Sequence, residues 1–348
     1  MTSAVLYINA EQVRNVLHWP MVCEAVEEAM KSVAHSHEHS CPGSNRPLTN
    51  QPARSMTFCG KKSQILLTMP GYVANYRLTA ATNNGAAKEN FSTLGCKLVT
   101  SFAENTVREI PLPNIMANIL LFNSETGKLN CIVDGTDITA WRTAAASIVA
   151  TKYLYFLRYP EGIVRPIKVA IIGTGVQGES HAIGMCSSFT VTDIYLWNRT
   201  ASKAESLAQE LKTKAPNVRV HVSKNVADAV INADVICVGT YAQTPLVTHA
   251  MIKKNHVHIN SVGAGQVHFQ EIGPDIYDHA KVYIDSWENA KTELKGLKAD
   301  IIGEVGEVIN FAKYPQEDKI TVFQSMGMAA EDVTVAQAVF NAAQDRTD

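Results

Sequence analysis

Residues Lys168–Gly178, K-V-A-I-I-G-T-G-V-Q-G, constrain the fold of this chain more than any other stretch. A β-branched apolar run, Val169–Ile172, leads into a complete G-x-G-x-x-G at Gly173, Gly175 and Gly178, and a helix-compatible segment follows. A buried strand, a Gly-rich turn and a helix in that order are what a dinucleotide-binding βαβ unit needs. The first glycine permits the tight turn, the second lets backbone approach a pyrophosphate, and the third lets helix and sheet pack closely. The helix start then presents unpaired N–H groups and a positive dipole end to phosphate.

The rest of the chain separates into two patterns. Short apolar runs at Val169–Ile172, Asp193–Trp197, Val218–Val222, Val235–Val238, Val257–Val262 and Val282–Asp285 alternate with helical stretches such as Ser202–Lys214 and Asp228–Ile231. Such alternation predicts a Rossmann-type, doubly wound α/β domain, its parallel sheet covered on both faces. The first 140 residues read differently. Val22, Ala25, Val26, Ala29, Met30 and Val33 mark one face of a helix. Strand-like runs then follow at Ser55–Phe58, Ile65–Met69, Lys97–Phe102, Ile119–Phe122 and Leu129–Val133, the last two joined by the turn Asn123–Gly127. Strands in succession predict a mostly antiparallel α+β domain. Asn75–Ser92, rich in Asn, Ala and Gly, reads as an exposed loop, and Thr139–Leu157 as a helix linking the halves. Ile320–Phe323 and Ala329–Ala343 read as a strand and a helix beyond the nucleotide sheet.

Composition narrows the function classes. The 348 residues suffice for two domains, and 46% hydrophobic against 18% charged residues is an ordinary globular balance. With 31 basic against 33 acidic residues and no basic stripe, nucleic acid is not an expected partner. Seven scattered cysteines without C-x-x-C spacing fit buried thiols in a reducing compartment better than disulfides or zinc. The N-terminus lacks the basic region and apolar core of a signal peptide, and no apolar run reaches membrane-spanning length. A cytoplasmic enzyme, without membrane contact, is the resulting expectation. The alternating histidines His35, His37 and His39 do not define metal-ligand geometry, and no metal is expected.

The end of the second strand bears on which dinucleotide is bound. An acid there would bind the ribose 2′-hydroxyl of NAD. Here the strand ends Trp197-Asn-Arg-Thr200, with no acid. Arg199 can pair with a 2′-phosphate, Asn198 and Thr200 can donate hydrogen bonds, and Lys203 lies one helical turn on. NADPH is therefore expected over NADH, with NADH still possible.

Further segments carry a family likeness. Asp134–Ala145, D-G-T-D-I-T-A-W-R-T-A-A, together with Gly173–Gly178, Trp197–Thr200, Asn260–Gly263 and Ser325–Asp332, resembles the ornithine cyclodeaminase/mu-crystallin family, in order and over nearly the whole chain. Within it, Trp197–Thr200 and G-V-Q-x-x-S-H at Gly175–His181 are most similar to the mu-crystallin branch. The resemblance implies a substrate-binding and dimerisation domain built from residues 1–142 and 320–348, with a nucleotide domain at 143–319 inserted between them. It implies a homodimer, with the substrate in a cleft. Three basic residues match the family's substrate-carboxylate site: Arg54, Lys97 and Arg142. Burying a carboxylate demands charge-assisted partners, which these residues can provide. Lys97, desolvated, is also a candidate proton donor. By position, Thr174, Val176 and Gln177 line the pyrophosphate turn. Thr240 and Tyr241 lie beside adenine or diphosphate, Val262 lies near the nicotinamide, and Ser325 and Met326 close over it.

One departure weighs on the reaction. Cyclodeaminases of the family carry an aspartate shortly after the N-x-V-G strand end, where this chain has Gly265. Glycine can neither take a proton nor stabilise an iminium, which speaks against ornithine cyclisation. Hydride delivery to C=N needs only a protonated imine, an anchored carboxylate and a nearby nicotinamide. The expected activity is reduction of cyclic ketimines of the piperideine- or pyrroline-2-carboxylate type. An alanine-dehydrogenase-like or N-alkyl amino acid dehydrogenase is the alternative sharing the same residues. A thyroid-hormone-binding role is a further implication of the resemblance.

Overall fold

The structure, a computed structural model, describes residues 5–35, 48–61, 63–79, 90–263 and 269–344. The chain divides into two compact units, Met1–Arg142 with Met328–Asp348, and Thr143–Gly327.

The first unit contains β1 (Leu6–Ile8), α1 (Ala10–Val16), α2 (Trp19–His35), β2 (Thr49–Asn50), β3 (Ser55–Phe58), β4 (Gln64–Tyr76), β5 (Phe91–Phe102), β6 (Ile115–Phe122) and β7 (Leu129–Asp134). The start of α3 (Thr136–Leu154) and, at the far end of the chain, a C-terminal helix (Ala329–Gln344) complete it. Its sheet runs β1-β7-β6-β5-β4-β2, with β3 also on β4. All its pairings are antiparallel except β1 on β7. The C-terminal helix packs on α2 and on β4, β5 and β6. Its Ala and Val positions, from Ala329 to Val339, are almost wholly buried, so small side chains let it lie close to the sheet. Gly95 of β5 lies beneath it: a Cβ there would come 2.9 Å from Val333 Cγ1 and 2.7 Å from Leu120 O. The Trp19 and Trp141 rings stack at 4.3 Å.

The second unit follows the expected alternation: β8 (Ile167–Ile172), α4 (Val176–Ser188), β9 (Val191–Trp197), α5 (Ala201–Lys214), β10 (Arg219–Val222), α6 (Val226–Val230), β11 (Val235–Val238), β12 (His258–Ser261), α7 (Pro274–Tyr277), β13 (Lys281–Ile284), α8 (Trp287–Glu293), β14 (Ile301–Glu304), α9 (Val305–Phe311) and β15 (Thr321–Gln324). The C-terminal helix of the first unit is therefore α10. The eight-stranded sheet is ordered β10-β9-β8-β11-β12-β15-β13-β14, and every pairing in it is parallel. Strand order reverses between β8 and β11, the place where open α/β sheets bind ligands.

Several expectations need correction. The strand near residue 320 does not lie beyond the nucleotide sheet but inside it, with β12 on one edge and β13 on the other. All four residues of β15 are buried, as a two-faced internal strand requires. The chain leaves the second unit after Gly327, not at residue 320. The Asn75–Ser92 segment is not loop throughout. β4 continues to Tyr76 and β5 begins at Phe91, the two paired, with Tyr76 and Leu78 buried. Asn75 holds φ 59° where the register shifts, a bulge of the kind Asn tolerates. Residues 80–89 lie outside the described residues. The acids at Glu304–Glu307 are not merely a solvated face, because Glu304 is buried, accepts from Trp287 N and forms a capping box with Glu307. Not every thiol is buried either, since Cys59 is exposed. Among the described residues no helix is long and apolar enough to cross a membrane.

Truncating an internal strand should be costly. Phe323→Ala is expected to remove about 3–5 kcal/mol of stability, read from urea unfolding. A loss below about 1 kcal/mol would mean that β15 does not hold the middle of the sheet.

Candidate active site

In the second unit, the C-terminal ends of the parallel strands share one edge, and the candidate cofactor residues follow five of those ends. Gly173–Gly178 follow β8, Asn198–Lys203 follow β9, Thr240 and Tyr241 follow β11, Val262 follows β12, and Ser325 and Met326 follow β15. Gly173 has φ +95°, a conformation that favours glycine, and a Cβ there would come 2.6 Å from Gly239 O. A Cβ on Gly178 would overlap Gly173 O, so only glycine lets α4 start this close to β8. Gly175, by contrast, faces open space, and the α4 N-cap has no side-chain hydrogen bond. The first-turn N–H groups thus lack a capping side chain, as an anion site requires. Thr174 Oγ1 and Gln177 Oε1 are buried with no hydrogen-bond partner among the described residues. A dinucleotide diphosphate, which offers acceptors, would take hydrogen bonds from the Thr174 hydroxyl and the α4 first-turn N–H groups, so these residues fit the group.

Asn198 plays a different part from the one its position suggests. Its side chain accepts from Thr174 N at 3.1 Å and donates to Thr200 O at 3.0 Å, tying the β9 end to the Gly-rich turn. Arg199, Thr200 and Lys203 are exposed on the rim. His181 is buried. Its Nδ1 lies 2.7 Å from Gln177 O and its Nε2 lies 2.9 Å from Ser147 Oγ. Burial lowers it to about 4, so the ring is neutral at physiological pH. At the far end of this edge, Asp285 accepts from Met326 N and Gly327 N at 2.7 and 2.6 Å, while Asn289 donates to Gly327 O.

In the first unit a second constellation forms. Lys97 stands in the middle of β5, opposite Met69 and Ile119, rather than at a strand start. It is 1% exposed. Its Nζ lies 2.7 Å from an Asp332 carboxylate oxygen. Arg142, in α3, donates from Nε to Asp332 and from Nη1 to Glu331, each at 3.0 Å. Both acids sit in the first turn of α10 and are fully buried, where the helix dipole also favours negative charge. Arg54, ahead of β3, is near enough for its charge to act on Lys97. Burial pushes the Lys97 ammonium down to about 8. Asp332 opposes that shift, and Arg142 and Arg54 reinforce it. Arg54, Lys97 and Arg142 are thus gathered around the Glu331 and Asp332 carboxylates. Cations of this kind can also hold a substrate carboxylate by charge-assisted hydrogen bonds.

Sequence comparison decides which family this combination represents. The model for the ornithine cyclodeaminase/mu-crystallin family matches residues 20–347. The chain belongs to that family. Ketimine reductase mu-crystallin of Rattus norvegicus is 35% identical over 296 residues, 84% of each chain. Delta(1)-pyrroline-2-carboxylate reductase of Bacillus cereus is 32% identical over 286 residues, 78% of this chain and 84% of the relative. A solved structure of Thermococcus litoralis Delta(1)-pyrroline-2-carboxylate reductase in complex with NADH and L-proline matches 99% of this chain and 98% of its own. Its TM-score is 0.78 at 24% identity, a likeness of fold.

For this family member, sequence reasoning noted the segment Ser325–Asp332 but gave Glu331 and Asp332 no role. The available signal was two acids opening an otherwise apolar helix, since buried acids need cationic partners. Glu271, whose carboxyl is bonded to Thr240, had no spacing signal at all. Gly265, and with it the argument from the missing aspartate, lies outside the described residues, as do His37 and His39.

Removing Asp332 should take from buried Lys97 its carboxylate partner and leave Arg142 with one acid fewer. Asp332→Ala is expected to cost about 3–5 kcal/mol. Asp332→Asn, which keeps the shape and one acceptor, should lose less. Equal stability of Asp332→Ala and the unmodified protein in urea would contradict the ion cluster.

Proposed function

We propose that the protein is an NADPH-dependent ketimine reductase, converting cyclic imino acids of the piperideine- or pyrroline-2-carboxylate type to cyclic amino acids. The observation that carries the reading is the buried Arg142–Lys97–Asp332–Glu331 cluster, with Arg54 near enough for its charge to act on Lys97. It stands in the same chain as a dinucleotide edge, and the relatives named above are imine reductases by name.

Each group then has a task. Arg142 and Arg54 hold the substrate carboxylate by charge-assisted hydrogen bonds. Lys97 Nζ holds the proton that the imine nitrogen needs, and Asp332 orients that ammonium. The bound dinucleotide supplies a hydride to the imine carbon. The carbon gains the hydride, the nitrogen ends with the proton, and the C=N bond becomes CH–NH. Gly173–Gly178 hold the diphosphate. Thr240, Tyr241, Val262, Ser325 and Met326 line the remaining strand ends. Arg199, Thr200 and Lys203, with no acid at the β9 end, favour a 2′-phosphate and hence NADPH over NADH.

We further read the protein as a cytoplasmic homodimer. The six described cysteines are free thiols, which suits a reducing compartment. Met56, Phe58, Val107 and Ile110 of the first unit are all more than half exposed, apolar surface that a second copy would cover.

NADPH oxidation is expected on addition of five- to seven-membered cyclic imino acids, with weaker binding when the 2′-phosphate is removed. Arg142→Ala should keep NADPH binding while kcat/KM for the imine falls by roughly a hundredfold or more. Turnover only of an open-chain 2-oxo acid with an amine would instead indicate an N-alkyl amino acid dehydrogenase. Loss of iodothyronine binding in the same variant would place that ligand on the same clamp.

The pH profile follows from Lys97. Its ammonium, the working form, prevails below about 8 and is lost above it. Activity should therefore fall on the alkaline side with a midpoint near that value. Lys97→Met should abolish turnover, and an unchanged alkaline limb in Lys97→Arg would remove Lys97 as the titrating group.

A further inference from the structure

Glu271 lies between β12 and α7 and is 1% exposed. Its carboxyl accepts hydrogen bonds from the N–H and the hydroxyl of Thr240, the latter at 2.5 Å. It also abuts Gly263, where any side chain would overlap it. The carboxyl therefore bridges the C-terminal ends of β11 and β12. Thr240 in turn packs on the Gly-rich turn, since a Cβ on Gly173 would come 2.7 Å from Thr240 Cγ2. A single residue thus separates this buried carboxyl from the turn that fits a diphosphate.

Among the described residues, Tyr277 of α7 is a titratable group that feels the Glu271 charge. Burial holds its phenol protonated, and the hydroxyl donates to Gln324 Oε1. On Glu271 itself two influences oppose each other. Burial pushes the acid up to about 7, while the Thr240 and Gly263 donors favour the anion. Burial outweighs the donors, and a new negative charge nearby shifts the balance further toward the neutral acid.

We propose that Glu271 takes up a proton from solvent when a dinucleotide diphosphate settles on the Gly-rich turn, making it a positioning residue that links dinucleotide affinity to pH. The inference rests on the dinucleotide reading of this edge. By linkage, binding that raises the proton occupancy of a group is weakened as pH rises past that group's free-state value. The carboxylate left at high pH repels the ligand, and the neutral acid at lower pH does not.

The probe is NADH, which carries the diphosphate but no 2′-phosphate to titrate. Calorimetric binding at about pH 7.5 in two buffers of different ionisation heat counts the protons taken up. Uptake of a fraction of one proton is expected. The Kd should rise several-fold from about pH 6.5 to 8.5, below the limit of roughly tenfold per pH unit for one linked proton. Glu271→Gln, equal in shape but unable to titrate, should show no uptake and a flat profile. Thr240→Val removes a donor to the anion and should move the region of uptake to higher pH, which provides a second reading if Glu271→Gln does not fold. Zero uptake by the unmodified protein, the same uptake in Glu271→Gln, or an unmoved region in Thr240→Val overturns this inference alone. No NADH binding by the unmodified protein brings down the dinucleotide reading and this inference with it.

Discussion

The first unit depends on a charge that it cannot leave alone. Lys97 is carried into the sheet by β5, and an isolated ammonium at that depth would face a desolvation penalty of several kcal/mol. Asp332 compensates for it, while Glu331 beside it pairs with Arg142, and both acids reach the sheet because α10 lies close against β4 and β5. That closeness explains the residues around them. The Ala and Val of α10 keep the helix thin, and Gly95 yields the space a side chain would occupy. Arg142, presented by the buried α3, then shares the same two acids. A segment at the end of the chain is thus bound to the N-terminal sheet by electrostatics as well as by apolar packing.

The second unit meets a different constraint, that of collecting distant residues on one edge. Parallel strands deliver this directly, since all their C-terminal ends point the same way. The insertion of β15 between β12 and β13 brings Ser325 and Met326 to that edge from far along the sequence. Asp285 then fixes the chain just after β15 through two backbone N–H groups, and Gly327 turns it with φ +79°. The same junction releases the chain to form α10. The candidate cofactor residues after β15 and the two acids of the ion cluster are therefore close in sequence, within residues 325–332.

What was legible in the sequence was whatever local geometry demands. The glycines of the β8–α4 turn were readable because Gly173 and Gly178 have no sterically tolerable substitute. The alternation of strands and helices was readable from period and length. The place of β15 was not, because a short run such as Ile320-Thr-Val-Phe323 announces a strand without naming its neighbours. Asn75 reads as a turn residue in isolation, and the same φ preference also serves a bulge between long paired strands. Glu271, Glu331 and Asp332 gain their meaning from partners up to 235 residues away, which only the folded chain supplies. Arg54, Lys97 and Arg142 came from family likeness, not from spacing.

The proposed chemistry gives the ion cluster a further consequence. A cyclic ketimine acid is a monoanion when its nitrogen is unprotonated, and in the proposed reading Arg142 and Arg54 hold its carboxylate. Proton transfer from Lys97 Nζ to that nitrogen leaves the total charge unchanged and converts the substrate to the more electrophilic iminium. Burial, by pushing Lys97 down to about 8, makes this transfer easier than it would be from a lysine in water. Asp332 at 2.7 Å keeps the ammonium populated beforehand and oriented during the step. A weaker counterion would hold the proton less firmly, and a less buried lysine would hold it more firmly. In the proposed reaction, the pairing of one desolvated lysine with one buried aspartate therefore sets the acidity available to the imine nitrogen.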